Sequence, residues 1–457
     1  MTGSVVRGPV RRLRAALERA PRRVVVLGAA AAVLVLLVAG AALWWVQRPY
    51  ASDLDGVAGR SSVVSPGLAA RTLARLRQAV VSGDRAAARD LAPADDPRAA
   101  DLLEAVVDNA RALDVVDLGL RYVDEVPAAD GTPGAQWPAA VELTWRFAGF
   151  DTGASRVETV VAFAREGERV SVVGFGALPT TDQPFGSPGT GVAAGTRTPI
   201  WLTGPVEVRR GGQVLVLAAD EVARGLDGYE DLAAFAVPAV ARDAPGWDER
   251  LVVEVPRDVA SLAAAIGAEE DSVAAAAAVT ATSDGTDGGD AGGVHVYVNA
   301  AVFDTLGPRG AELVMNHEAV HVATRAPGSP APTWLVEGYA DYVALRDADV
   351  PERRAAAQVA QRVRDDGVPT SLPTPADFDL TGTHAGATYE AAWLACVVLA
   401  DEAGPAALRR VYTAADRGVP LTTALARSTD LDVAGLTRLW QDRLREVSRR
   451  AAGEDAA

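Results

Sequence analysis

Two short stretches, Asn316-His317-Glu318-Ala319-Val320-His321 and Trp334-Leu335-Val336-Glu337-Gly338-Tyr339-Ala340-Asp341, decide how this chain of 457 residues is interpreted. The first contains His-Glu-x-x-His and holds two of the chain's four histidines. The apolar residues around it predict a helix over residues 309–325. Positions i and i+4 then lie on one face of the helix, and both imidazoles reach the same point. The sequence therefore predicts a metal site at His317 and His321.

Three acidic residues have the positions that would complete such a site. Glu318 directly follows the first histidine and can polarise a metal-bound water without being a ligand, which predicts a general base. Glu337 is the predicted third ligand, because a carboxylate completes a His2Glu set and leaves one position open. Asp341 lies four residues later, on the same face of a second predicted helix, where it can accept the spare ring N–H of one histidine.

The two stretches together resemble the active site of the gluzincin metallopeptidases, the thermolysin-like zincins. They most resemble the bacterial peptidase MA-like families that carry Trp-Leu-x-Glu-Gly-x-Ala-Asp as their second motif. The resemblance covers roughly residues 201–445. It implies Zn2+ held by the two histidines and Glu337, with Glu318 as the base and Asp341 as the partner of His317. The alternatives are a solvated helix face for the histidines and surface charges for the carboxylates.

A second electrophile beside the metal is expected to stabilise the oxyanion of the reaction, and it is usually a tyrosine or a histidine. His384 and Tyr389, at the start of a helix predicted over 387–402, are the candidates. Tyr389 is preferred, because families similar to this one carry a tyrosine at the start of a comparable helix. The alternatives are a core or capping aromatic for Tyr389 and a loop residue for His384.

The segment Val294-His295-Val296-Tyr297-Val298 alternates as a strand directly before the predicted metal-binding helix. In zincins the strand in this position is often the sheet edge along which an extended substrate adds by backbone hydrogen bonds. The resemblance implies the same role for this strand. His295 is predicted to be a sheet residue or to line the cleft, not to bind zinc.

The N-terminus predicts a membrane anchor. Residues 1–23 hold seven arginines and one glutamate, a net charge of +6. The apolar run from Val24 to Val46 can cross a hydrocarbon core of about 30 Å at about 1.5 Å per residue. The positive-inside rule places the N-terminus in the cytoplasm and the chain from Gln47 onward outside, as in a single-pass protein of the cell membrane. The alternative is a cleaved signal peptide with Ala39-Gly40-Ala41 as the cleavage site.

The net charge argues against a nucleic-acid-binding protein, and the cysteine content argues against a disulfide-stabilised one. The chain has a net charge of -16, so the residues after the basic N-terminus carry -22. Such an acidic chain repels phosphate, and nucleic acid is not an expected partner. The single cysteine, Cys396, cannot form an intramolecular disulfide and is predicted to be a buried core thiol.

Length and composition predict an α+β protein with two soluble domains and accessory segments. The predicted segments are a cytoplasmic Arg-rich tail 1–23, a transmembrane helix 24–46, a tether 47–66, a small α+β domain 67–178, a linker 179–200, a gluzincin-like domain 201–450 and a tail 451–457. The small domain has two predicted helices and strands at 115–124, 139–148, 156–164 and 169–177. It resembles the NTF2-like cone. No histidine precedes residue 295, so this domain is predicted to be a spacer or docking domain.

The prediction that follows is a membrane-anchored, extracytoplasmic zinc metallopeptidase that hydrolyses peptide bonds of a polypeptide with a metal-activated water. The chief alternative is a catalytically inactive, zinc-stabilised module that binds an extracytoplasmic polypeptide or a cell-wall component. Hydrolysis of a bond other than a protein peptide bond is a third interpretation, because zinc chemistry is not confined to peptides.

Overall fold

The structure is a computed structural model that describes residues 64–127, 135–176, 195–219, 225–286, 292–379 and 384–454. The predicted Arg-rich tail, transmembrane helix and cleavage site lie outside the described residues, as does most of the predicted linker. Among the described helices, none is long and apolar enough to span a membrane. The described residues mix helices with two sheets, as an α+β protein requires.

The first described layer is a set of helices packed on an antiparallel sheet. The helices are α1 (Pro66–Ser82), α2 (Arg85–Arg89) and α3 (Pro97–Ala112). The strands are β1 (Val115–Glu125), β2 (Gln136–Phe147), β3 (Ser155–Glu166) and β4 (Arg169–Phe175), paired in the order β1-β2-β3-β4. The four predicted strands are confirmed. β2 begins before the predicted residue 139, because Trp137 is buried and stacks on Phe163 with ring centroids 5.4 Å apart.

The second sheet is mixed and carries the strands that lead to the candidate site. Its strands are β5 (Val206–Arg210), β6 (Val214–Ala219), β7 (Leu251–Val255), β8 (Ala278–Thr282) and β9 (Val294–Val298), in the order β5-β6-β7-β9-β8. β6, β7 and β9 are parallel neighbours, whereas β5 and β8 pair antiparallel at the two ends. The helices α4 (Leu226–Ala241), α5 (Val259–Ile266) and α6 (Glu270–Val273) connect these strands, and α7 (Ala300–Phe303) follows β9.

The prediction that Val294–Val298 forms the sheet edge is wrong. β9 lies between β7 and β8, and all five of its residues are buried, as is typical of an interior strand. In the described part of the chain, the edge strand on this side of the sheet is instead β8, whose three central residues are only partly buried. The segment before β9 in sequence folds back antiparallel to it and covers the side that β9 would otherwise expose.

The rest of the described chain is helical. The helices are α8 (Pro308–Thr324), α9 (Thr333–Arg346), α10 (Glu352–Ala355), α11 (Ala357–Asp366), α12 (Ala385–Ala403), α13 (Pro405–Asp416), α14 (Leu421–Ser428) and α15 (Val433–Glu454). α8 has a proline in its first turn, and Arg325 ends it with a left-handed φ of 53° and an N–H that bonds back to the last turn. Ala356 separates α10 from α11.

Two hydrophobic cores lie on the two faces of the second sheet. One joins the sheet to α4, α8, α9 and α12 and contains the free, buried Cys396, which confirms the prediction for that thiol. The other joins the opposite face of the sheet to the first sheet, with Phe147, Trp201 and Tyr297 among its members. The described residues, from Val64 onward, accordingly form one compact unit. The domain boundaries given above stay a prediction.

Candidate metal centre

α8 and α9 bring the two motif stretches together. The Nε2 atoms of His317 and His321 lie 2.9 Å apart, and Oε2 of Glu337 lies 3.4 Å from each of them. Potential ligand atoms of all three residues fall within 4.8 Å of one another. The i, i+4 spacing places both rings on one side of α8, and the first turns of α9 supply the carboxylate. The three residues that the sequence predicts as ligands therefore converge on one point.

The donor chemistry of this cluster fits a metal ion. His317 donates its Nδ1–H to Oδ1 of Asp341 over 2.8 Å, so in the neutral ring Nε2 carries the lone pair. That lone pair faces the imidazole nitrogen of His321 and a carboxylate oxygen of Glu337. Three electron-pair donors this close repel one another unless a cation lies between them. Two imidazoles and one carboxylate form the ligand set of a catalytic zinc site with one open position.

The electrostatics of the cluster favour a cation in the same place. Burial lowers the pKa of His317, but the adjacent Asp341 carboxylate outweighs it and raises the pKa well above its ordinary value. Burial raises the pKa of Glu337, but the two histidines hold it well below its ordinary value. The carboxylates therefore attract positive charge to this point, where a proton and a metal ion compete for the same nitrogen lone pairs.

His321 differs from His317 in what holds its ring. Its buried Nδ1 has no hydrogen-bond partner within the described ranges, whereas Nδ1 of His317 is held by Asp341. The predicted role of Asp341 as the partner of one histidine thus corresponds to a contact with His317 alone.

Glu318 and Tyr389 lie beside the cluster in a cavity of about 550 Å³. Glu318 is 7% exposed, and its Oε2 accepts a hydrogen bond from the Thr280 hydroxyl over 2.6 Å. The Tyr389 ring lies 6.4 Å from the His317 ring, and burial together with nearby carboxylates raises the pKa of Tyr389, so its hydroxyl stays a proton donor. The other walls are small and aliphatic: Val273, Ala275, Ala276, Ala277, Ala278, Val279, Leu313, Val314, Ala344 and Leu345.

The two oxyanion candidates have different surroundings. Tyr389 lines the cavity, whereas His384 is exposed at the N-terminus of α12 and lies outside the cavity lining. α12 approaches α9 closely at Gly338, where a Cβ atom would collide with the Ala392 carbonyl. The glycine of the second motif thereby lets the helix that carries Tyr389 pack against the helix that carries Glu337.

His295 is a buried sheet residue, as predicted, and belongs to a second cluster. It donates Nδ1–H to Glu254 over 2.7 Å and Nε2–H to Asp151 over 2.9 Å. Burial lowers the pKa of His295, but the two carboxylates raise it to about 10. Neither of the two acidic partners, nor the Thr280 contact, could be predicted from the sequence. Glu254 and Asp151 lie 41 and 144 residues away along the chain, and no local pattern points to them.

No protein-family model matches this chain, and no curated protein is significantly similar to it. Among solved structures, an M1 zinc metallopeptidase from Deinococcus radiodurans is similar over 71% of this chain and 93% of its own, with 14% identity and a TM-score of 0.36. A variant of that enzyme bound to a Tyr-Ser-Ala substrate is similar over 70% and 94%, with 14% identity and a TM-score of 0.34.

Proposed function

We propose that this chain is a zinc-dependent metallopeptidase. The observation that carries the proposal is the convergence of two imidazole nitrogens and one carboxylate oxygen at 2.9 to 3.4 Å, with Glu318 beside them in an open cavity. His317, His321 and Glu337 would hold the ion. When bound, zinc lowers the pKa of a water to about 7 and polarises a carbonyl.

Glu318, Tyr389 and Asp341 would then have separate roles in the reaction. Glu318 accepts the proton of the attacking water and passes it to the leaving amine, as a positioned general base and acid. Tyr389 donates its hydroxyl proton in a hydrogen bond to the developing oxyanion. Asp341 fixes the tautomer and orientation of His317, so that Nε2 presents its lone pair to the ion.

An extended polypeptide is the proposed substrate, bound along β8. Ala277 and Ser283 make their backbone hydrogen bonds to the β9 side. By the alternation of an antiparallel ladder, Ala278 and Thr280 direct their N–H and C=O groups toward the free edge. These groups border the cavity that holds Glu318, and a substrate strand paired there lies next to the base.

Anchoring in the membrane is part of the proposal and rests on the sequence alone. The apolar run of residues 24–46 follows seven arginines, which favours a cytoplasmic N-terminus and an extracytoplasmic catalytic region. We test this with epitope tags at the two ends of the full chain. Protease added to intact spheroplasts should remove the C-terminal tag and spare the N-terminal one, whereas protection of both tags would contradict the orientation.

The catalytic proposal is tested by Glu318→Gln in the full chain, assayed on casein. The variant should keep its zinc and its fold and lose about 10²- to 10⁴-fold in turnover, because the amide cannot accept the proton. The wild-type activity should be sensitive to 1,10-phenanthroline. Turnover that survives in Glu318→Gln would contradict the mechanism. A zinc-loaded wild type without any activity would favour the alternative of a binding module.

A further inference from the structure

Thr280 contacts the proposed general base directly. It lies in the middle of the edge strand β8, and its Oγ1 is 2.6 Å from Oε2 of Glu318 and 3.2 Å from the Glu318 carbonyl oxygen. One hydroxyl has one proton to give. The shorter distance and the charged acceptor assign that proton to the carboxylate, because such hydrogen bonds are shorter and stronger than neutral ones.

We infer that Thr280 is a positioning residue for Glu318, an inference that rests on the proposed function. Within the described ranges, no other group hydrogen-bonds the Glu318 carboxylate. Its Oε2 is therefore held by β8, and Oε1 is left to accept the proton of the attacking water. Without the hydroxyl, the carboxylate can rotate in the cavity and spends less time in the reactive orientation.

The sheet fixes where the hydroxyl points. Val279 and Ala281 pack against the core shared with the first sheet, so the Thr280 side chain lies on the opposite face, toward α8. A shift of the strand by one residue would turn the hydroxyl away from Glu318. Threonine also has a β-branched side chain with few rotamers, which limits the movement of the hydroxyl.

The backbone of Thr280 faces the proposed substrate. Its N–H and C=O point to the free edge of β8, where the substrate strand would pair, while its hydroxyl holds the base. Thr280 thus links strand addition to the orientation of Glu318. This arrangement predicts that removing the hydroxyl impairs turnover and leaves substrate pairing intact, since the backbone groups are unchanged.

The test compares Thr280→Val with Thr280→Ser in the zinc-loaded full chain on a peptide substrate. Thr280→Val has the same shape without the hydroxyl and should lower kcat about 10- to 100-fold, with KM within about twofold. Thr280→Ser should stay within about threefold of wild type. Thr437→Val is the matched control: it removes a part-buried hydroxyl that bonds the Val433 carbonyl within α15, away from the cavity, and it should leave kcat unchanged.

Three results separate the possible failures. An active wild type with equal kcat in Thr280→Val would overturn the role of Thr280 and leave the peptidase proposal intact. A wild type without activity would overturn both. A loss of zinc or of thermal stability in Thr280→Val calls for Thr280→Ala, which removes the hydroxyl without adding a methyl group. The same fall in kcat is expected there, and an unchanged kcat would overturn the inference.

Discussion

Two clusters in this protein are built from the same side chains, histidine and carboxylate, and differ in how the ring nitrogens are used. In the inner cluster both nitrogens of His295 donate to carboxylates, to Glu254 and to Asp151. In the outer cluster one nitrogen of His317 is held by Asp341, and the other faces His321 and Glu337. The first histidine has no lone pair left for a metal, whereas the second has one that points at two further donors.

The difference teaches that burial and a raised pKa do not by themselves identify a functional site. Both histidines have a raised pKa, because carboxylates outweigh the effect of burial in each cluster. His295 is 1% exposed and joins the two sheets, while the outer cluster opens to a cavity. The inner cluster is therefore expected to contribute stability, and the outer cluster is expected to bind the metal.

The largest effect is expected from His295→Ala, measured by urea unfolding of the full chain. Removal of the imidazolium leaves two buried carboxylates without their shared partner, which costs about 3 to 5 kcal/mol of unfolding free energy. The zinc content of the folded protein should not change. His384→Ala is the control, because this exposed histidine should alter stability by less than about 0.5 kcal/mol. Equal stability of the two variants would contradict the role of the inner cluster.

A smaller effect is expected from Asp341→Asn, which keeps the shape of the side chain and removes its charge. Loss of a carboxylate that orients a ligand histidine typically weakens metal binding about 10- to 100-fold. Competition with a chromophoric chelator measures this affinity. Asp347→Asn, just beyond the end of the same helix, removes a carboxylate whose ion pair with Arg242 is exposed, and it should leave the zinc affinity unchanged. A similar affinity in both variants would argue against Asp341 as the partner of a ligand.

The smallest effect is expected from pH, measured as the change in unfolding free energy per pH unit. The pKa of His295 is raised to about 10, so its stabilising contribution is complete below the unfolded value of about 6.5 and is lost as pH rises toward 10. The slope is at most about 1.4 kcal/mol per pH unit. Tyr297 beside it stays neutral in this range, because burial raises its pKa. The difference in unfolding free energy between wild type and His295→Ala should narrow from pH 7 to pH 9. A constant difference would contradict the charged state of His295.

The outer cluster could be predicted from the sequence because its geometry is local. Residues four apart on one helix share a face, so the positions of His317 and His321, and of Glu337 and Asp341, follow from their spacing. The strands of the first sheet were likewise predictable from their alternation. The inner cluster was not, since its three residues come from segments far apart in the chain and only the packing of two sheets brings them together.

The order of the second sheet also escaped prediction, for a related reason. The alternation in Val294–Val298 identifies a strand but not its neighbours. Its place between β7 and β8 depends on how the chain segments that form those two strands fold. The contact between Thr280 and Glu318 follows from that order, because it exists only when β8 lies at the edge beside α8.

The most direct test of the metal centre is the zinc content of the full chain as wild type and as Glu337→Ala, measured by atomic emission after dialysis. About one zinc per chain in the wild type and little or none in the variant are expected, because the variant lacks the carboxylate that completes the His2Glu set. A wild type without zinc, or equal zinc in the two proteins, would contradict the assignment of His317, His321 and Glu337 as the ligands.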